Sequence, residues 1–248
     1  MAHPADVVVK SRDVMPEGAL TLPAAYYIDA EFFRREMDGL FGQMWICAGR
    51  TEQVERPGQF FVRDVLGESI VITRAPSGHV NAFYNVCRHR GTRLCEEASG
   101  RFQETLQCPY HAWTYALDGR LVGAPHMDKV EGFEKADHSL NSVALGLWEG
   151  FIFLNLGKNP TPLEKAFAPL AGKFTHWNLP NLRSARRIEY DVNANWKLIF
   201  ENYSECYHCP LVHRRSRSSR RTIPRRTTCA KGRSSAATCP SPKARALR

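Results

Sequence analysis

The sequence predicts an α+β protein: an all-β domain behind a short helical segment, then an incomplete helix-plus-sheet domain, then a disordered basic tail. Three observations predict it. Short apolar runs between residues 44 and 156 alternate with Gly- and Pro-containing turns. Helical spacing is confined to Ile28–Phe41, to a stretch near Leu163–Leu170 and to the residues after Asn195. All the basicity lies after His213. The 248 residues carry 34 Lys+Arg and 25 Asp+Glu, a formal charge of +9. Arg214–Arg248 alone holds ten Arg, two Lys and no acid, a net of +12, so the first 213 residues hold 22 basic and 25 acidic groups. The body is a mildly acidic globular protein whose composition, 43% hydrophobic overall, supports a core. The tail has no aromatic residue and cannot fold alone.

Taken in order, Ile28–Phe41 places Phe32, Phe33, Met37, Leu40 and Phe41 on one helical face. Strands are expected at Met44–Ala48, Gln59–Val65, Ser69–Arg74 and Val80–Val86. They are divided by Arg56-Pro57-Gly58, Leu66-Gly67 and Pro76-Ser77-Gly78. Spacing this short suits an antiparallel sandwich or barrel. Further strands are expected at Trp113–Tyr115, Val143–Leu147, Phe151–Leu156 and Arg186–Val192. The division that follows is residues 1–39 as an N-terminal segment and helix, 40–157 as the all-β domain, 158–213 as the start of a second domain, and 214–248 as tail.

The chemistry begins with Cys87-Arg88-His89 and, eighteen residues on, Cys108-Pro109-Tyr110-His111. Each loop offers one Cys and one His. A zinc finger usually takes its two Cys from one loop and its two His from another. Mixed loops suit a [2Fe–2S] cluster with two thiolates on one iron and two imidazoles on the other. Eight Cys in a chain this long do not make a disulfide scaffold, so metal or catalytic roles are the better expectation.

These loops, Cys87-Arg88-His89-Arg90-Gly91 and Cys108-Pro109-Tyr110-His111-Ala112-Trp113, resemble those of the Rieske non-haem iron oxygenases, the family of ring-hydroxylating dioxygenase alpha subunits. Respiratory Rieske proteins usually carry a second Cys in each loop; Tyr110 stands where the second loop would need one, and Cys95 is expected as a buried free thiol. The resemblance implies an all-β Rieske domain with Cys87, His89, Cys108 and His111 as cluster ligands.

A second constellation runs from Asn195-Trp196-Lys197 to His213. Trp196, Ile199, Phe200, Tyr203 and Tyr207 form one helical stripe, and Glu201, Glu205 and His208 another, with Asn195 or Asn193 as N-cap. Alone, the second stripe reads as a solvated face. Pro210 should break the helix and let His213 turn back toward His208, half of a 2-His-1-carboxylate site for Fe(II). The stretch resembles the family's mononuclear iron motif, with His208 and His213 as ligands. Glu205 matches an outer acidic residue that links this site to the Rieske histidine of a neighbouring subunit. Glu at that place, where many ring dioxygenases have Asp, leans toward the branch acting on quaternary amines such as choline, betaine or carnitine.

What the resemblance implies is a terminal oxygenase component, a homotrimer. A separate reductase or ferredoxin would supply it with electrons from NAD(P)H, and it would activate dioxygen to hydroxylate a small organic substrate. The resemblance spans about Asp38–His213. The family's third iron ligand is a carboxylate far downstream, and no Asp or Glu follows Glu205. A truncated or frame-shifted product, with weak mononuclear iron binding and little or no turnover, is therefore expected. No apolar run reaches the roughly 18 residues of a membrane span, and Met1–Leu20 lacks a signal peptide's apolar segment, so a cytoplasmic protein is expected. Three other readings remain: an electron carrier without oxygenase activity, a zinc-binding structural domain, and a polyanion binder acting through the tail. The acidic body gives the last no support. His3, His79, His126, His138 and His176 have no partner at metal spacing, and Cys206 and Cys209 are expected to pack.

Overall fold

The computed structural model describes residues 20–204. The chain divides into two compact units, one formed by residues 34–188 and one by residues 1–33 with 189–248. Among the described residues there are four α-helices and ten strands. In chain order the strands are β1 (Ile46–Arg50), β2 (Gln59–Val65), β3 (Glu68–Arg74), β4 (Val80–Tyr84), β5 (Ser99–Arg101), β6 (Thr105–Gln107), β7 (Thr114–Ala116), β8 (Leu121–Gly123), β9 (Ala144–Trp148) and β10 (Phe151–Asn155). All ten lie in the larger unit and form three antiparallel sheets, ordered β1-β10-β9, β4-β3-β2-β5 and β6-β7-β8.

The four-stranded sheet is the middle layer. Side chains alternate across a strand, and both faces of β2 and β3 are covered. Phe61, Ile70 and Ile72 enter a core shared with Ile152 and Leu154 of β10. Phe60 and Val71 enter a second core, shared with Cys87, Cys108, Trp113, Tyr115 and Leu121. Ile70, Val71 and Ile72 are all 0% exposed. A strand buried on both faces needs a continuous apolar run, and this is what the sequence supplies there. The hairpin between β7 and β8 turns at Gly119, whose φ of +91° suits glycine; a Cβ there would also fall 2.4 Å from the Phe83 ring.

Most expected strands occur, shifted by up to two residues. Three short ones, β5, β6 and β8, are additional. The expected strand at Arg186–Val192 does not form: residues 182–195 have no regular structure apart from a bend at Ala194, residues 182–194 are exposed, and no strand among the described residues pairs with the segment. Strand propensity without a pairing partner does not suffice. Just before it, the Arg50 guanidinium, 4.5 Å above the Phe151 ring, donates to the carbonyls of Leu179 (3.0 Å) and Leu182 (2.7 Å). Glu52 accepts the Ser184 N–H at 2.9 Å, so the edge of the β1 sheet holds this segment by its backbone.

A short additional helix, α1 (Ala25–Ile28), precedes α2 (Ala30–Gly39), which is the helix expected at Ile28–Phe41. Asp29 divides them: its Oδ1 accepts the N–H groups of Glu31 (2.7 Å) and Phe32 (3.1 Å), an N-cap that the apolar spacing concealed. The expected helix near Leu163–Leu170 is α3 (Leu163–Ala166) followed by a 3₁₀ turn at Ala168–Leu170. In the smaller unit, α4 (Trp196–Ser204) begins where Asn195 Oδ1 accepts the Lys197 N–H at 3.1 Å, as expected for an N-cap. The Asn195 side chain also donates to the Tyr27 carbonyl, and Tyr27 donates its hydroxyl to Glu201 at 2.7 Å. The apolar stripe of α4 is not buried: Ile199, Phe200 and Tyr203 are exposed, and Lys197 is the buried residue of the helix. No helix among the described residues is long and apolar enough to cross a membrane.

Ile72, enclosed on a strand buried on both faces, tests the layer arrangement. Ile72→Ala should lower the unfolding free energy by about 2–5 kcal/mol, read by chemical denaturation. A cost near zero would mean that the middle layer is not closed.

Candidate iron–sulfur centre

Two six-residue loops carry the four predicted cluster ligands, and they are built alike. Residues 87–92 are closed by the bridge Val86↔Arg93, and residues 108–113 by the β6–β7 pair Gln107↔Thr114. In each loop the Cys comes first. Its N–H donates to the carbonyl of the last residue, Cys87 to Thr92 and Cys108 to Trp113, both at 2.8 Å. Its carbonyl accepts the N–H of the fifth residue, Gly91 at 3.0 Å and Ala112 at 3.1 Å. That fifth residue is left-handed in both, with φ +75° at Gly91 and +55° at Ala112. The His comes third in one loop and fourth in the other, which is the physical content of C-x-H against C-x-x-H.

This construction sorts the donors by depth. Cys87 and Cys108 are 2% and 3% exposed and lie in the same buried core. His89 is half-buried and His111 exposed, with ring centroids 4.8 Å apart and planes at 74°. Sulfur therefore lies inside and nitrogen at the rim. Two thiols and two imidazoles in this order fit a binuclear cluster with one iron under each pair. One Cys and one His from each loop fit a [2Fe–2S] group better than a zinc finger, which usually takes its two Cys from one loop and its two His from another.

Electrostatics act on the same groups. Burial pushes the Cys108 thiol up, while the N–H groups of Tyr110 and His111 pull it back by pointing at its sulfur. His89 is held below its ordinary value, first by desolvation, then by His111 and Arg90. A lowered imidazole pKa keeps the ring neutral, the form that binds metal. The Cys95 thiol is buried and pushed up to about 11 by desolvation and by Glu97, whose Oε2 lies 3.6 Å from its sulfur. It points at that carboxylate and takes no part in the pair.

Two site residues escaped the sequence reading. Tyr115, fully buried, has its hydroxyl 3.3 Å from Cys87 Sγ and accepts the Arg88 N–H at 3.1 Å. With Cys87 as a thiol either group can donate to the other; with Cys87 as a thiolate the hydroxyl is the donor. Trp113 stacks on His89 at 4.8 Å and 11°, and His138 and Phe133 meet its other edges at 5.5 and 5.7 Å. The available signal was the inward alternation Trp113, Tyr115, Leu117, since a buried Tyr hydroxyl needs a partner. His138, expected without a metal role, packs in this aromatic cluster. Glu205, His208 and His213, with Cys206, Cys209 and Pro210, lie outside the described residues.

A sheet-built domain with two Cys/His loops of this design is a Rieske-type iron–sulfur domain. Comparison with known proteins agrees. The Rieske [2Fe–2S] domain family matches residues 44–134, and the catalytic domain of the ring-hydroxylating alpha subunits matches residues 179–243. The chain thus carries a Rieske [2Fe–2S] domain and a stretch similar to the ring-hydroxylating alpha-subunit catalytic domain, the pairing found in Rieske non-haem iron oxygenases. The carnitine monooxygenase oxygenase subunit of Acinetobacter baumannii is 37% identical over 200 residues, covering 80% of this chain and 54% of the relative. The glycine betaine monooxygenase oxygenase subunit of Chromohalobacter salexigens is 37% identical over 197 residues, covering 79% and 44%. The structure of the quaternary ammonium Rieske monooxygenase CntA with L-carnitine superposes with a TM-score of 0.75 at 35% identity, over 83% of this chain and 58% of that one. The chain thus spans about half the length of the curated relatives it matches. The catalytic-domain match continues to residue 243, beyond Arg214, where the motifs alone ended the resemblance.

The matched loops predict unequal responses to matched changes. A Cβ at Gly91 would meet no atom within 4 Å, so Gly91→Ala isolates the backbone cost. It should destabilise the cluster-free chain by about 1–2 kcal/mol. Ala112→Gly should stabilise it by up to about 1 kcal/mol. Thermal unfolding of both variants measures the two signs; equal signs would contradict the left-handed turns.

Proposed function

We propose that the chain is the oxygenase component of a Rieske monooxygenase acting on a quaternary ammonium compound. Its cluster domain occupies residues 40–157, and the catalytic domain begins in residues 158–213. The observation that carries the reading is the depth-sorted donor set, thiols within and imidazoles at the rim. The relatives, which act on carnitine and on glycine betaine, favour the quaternary ammonium class over aromatic hydrocarbons, as does Glu at position 205.

Cys87 and Cys108 would hold the [2Fe–2S] group as thiolates, and His89 and His111 would hold it through neutral imidazoles. His208 and His213 bind the mononuclear iron, and Glu205 accepts an imidazole N–H between the two centres. When bound, the cluster carries single electrons and the mononuclear iron activates dioxygen. Electrons come from NAD(P)H through a separate reductase. The working assembly is a homotrimer in the cytoplasm, each Rieske domain serving the iron of the neighbouring subunit. With Cys87 as a thiolate, the Tyr115 hydroxyl donates to its Sγ, and the Tyr110 and His111 N–H groups point at Cys108. Hydrogen bonds to sulfur offset its negative charge and so favour the reduced state.

Reconstitution with iron and sulfide tests the reading. The chain should take up two sulfides with at least two irons and become paramagnetic on one-electron reduction by an NAD(P)H-linked reductase. Stoichiometric zinc without iron would overturn it. Tyr115→Phe should keep the cluster and lower its potential by on the order of 50 mV, the worth of one charge-assisted hydrogen bond. An unchanged potential would remove Tyr115 from this role. Oxygen uptake with quaternary ammonium compounds and with aromatic hydrocarbons, measured in parallel, decides the substrate class.

A further inference from the structure

Cys87 and Cys108 hold corresponding positions in two facing turns. Each turn is closed at its base, by Val86↔Arg93 and Gln107↔Thr114. The turns face each other, with the His89 and His111 rings 4.8 Å apart, both sulfurs are buried in the same core, and the Tyr115 hydroxyl lies 3.3 Å from Cys87 Sγ. The third buried thiol of the same core, Cys95, is turned to Glu97. A cluster-free chain therefore keeps two free thiols together at a high effective concentration.

We propose that this pair is a redox-sensitive modification site: in the cluster-free chain, hydrogen peroxide joins Cys87 to Cys108 in a disulfide that blocks cluster loading until a dithiol reduces it. One thiol takes an oxygen atom from peroxide, giving a sulfenic acid and water. The other thiol then displaces hydroxide from that sulfur, forming the S–S bond and a second water. In sum the two thiols lose two electrons and two protons, and one peroxide becomes two waters. A dithiol reverses the change by exchange, itself leaving as a disulfide. In the loaded protein both sulfurs are committed to iron, so the bond forms only in a chain that awaits or has lost its cluster. The inference rests on the reading of these two residues as cluster ligands and adds a gate to it.

Sequence makes the experiment direct, because Arg88, Arg93, Arg101 and Arg120 place Cys87, Cys95 and Cys108 on three separate tryptic peptides. The full chain, stripped of metal without oxygen and fully reduced, is treated with equimolar peroxide, digested without reductant and mapped by mass. The expected product joins the Cys87 and Cys108 peptides, about 2 Da lighter than their sum. Loading with ferrous iron and sulfide, read from visible absorbance and bound iron, should fall about tenfold and recover fully after dithiothreitol. Cys95→Ser should change neither result. A cross-link through Cys95, a random pattern among the eight cysteines, no cross-link, or undiminished loading after the bond has formed would each overturn the proposal. The fully reduced control keeps the two readings apart: if it binds no iron and sulfide, the ligand assignment fails whatever the peptide map shows.

Discussion

The site depends on one constraint: two turns of the same length and the same hydrogen-bond pattern must face each other. In each, the Cys N–H and C=O are both engaged within the loop, which fixes the first residue at the base and leaves the His at the tip. Closing six residues in this way requires a left-handed backbone at the fifth position. Gly91 meets that need without strain, and Ala112 meets it at some cost. Depth follows from position in the loop, and depth decides which donors are dry.

The layers below serve the same end. The middle sheet is buried on both faces, so one face can be given wholly to the packing beneath the loops. Trp113 and Tyr115 sit on that packing. Tyr115 reaches the Cys87 sulfur from below, and Trp113 lies flat against His89. The first loop thus rests on aromatic residues contributed by the second loop and the strand that follows it. The two motifs are held as one object, though about twenty residues separate them in sequence.

Much of this is legible in the residues themselves. The strands of the middle sheet follow from apolar runs between Gly-containing turns, and the paired loops announce themselves by chemistry and spacing. What escaped was decided elsewhere. Strands β5, β6 and β8 have three residues each, too few to show a period, and exist because neighbouring strands offer edges. Arg186–Val192 has the period but pairs with no strand among the described residues. Asp29 separates α1 from α2 because its carboxylate captures two N–H groups, a choice that hydrophobic spacing does not record. Tyr115 reads as one more core residue of a strand; only its neighbours make it part of the site. The stripe along α4 shows its pattern clearly in sequence, yet it is exposed among the described residues.

The central claim is that two sulfurs and two ring nitrogens from these loops share one binuclear group. Pulsed electron paramagnetic resonance on the reduced, reconstituted chain, with histidine labelled by nitrogen-15, tests it most directly. The account predicts two directly bound imidazole nitrogens, falling to one in His111→Ala. A reduced cluster without bound nitrogen, or the full two-nitrogen signal in His111→Ala, would contradict it.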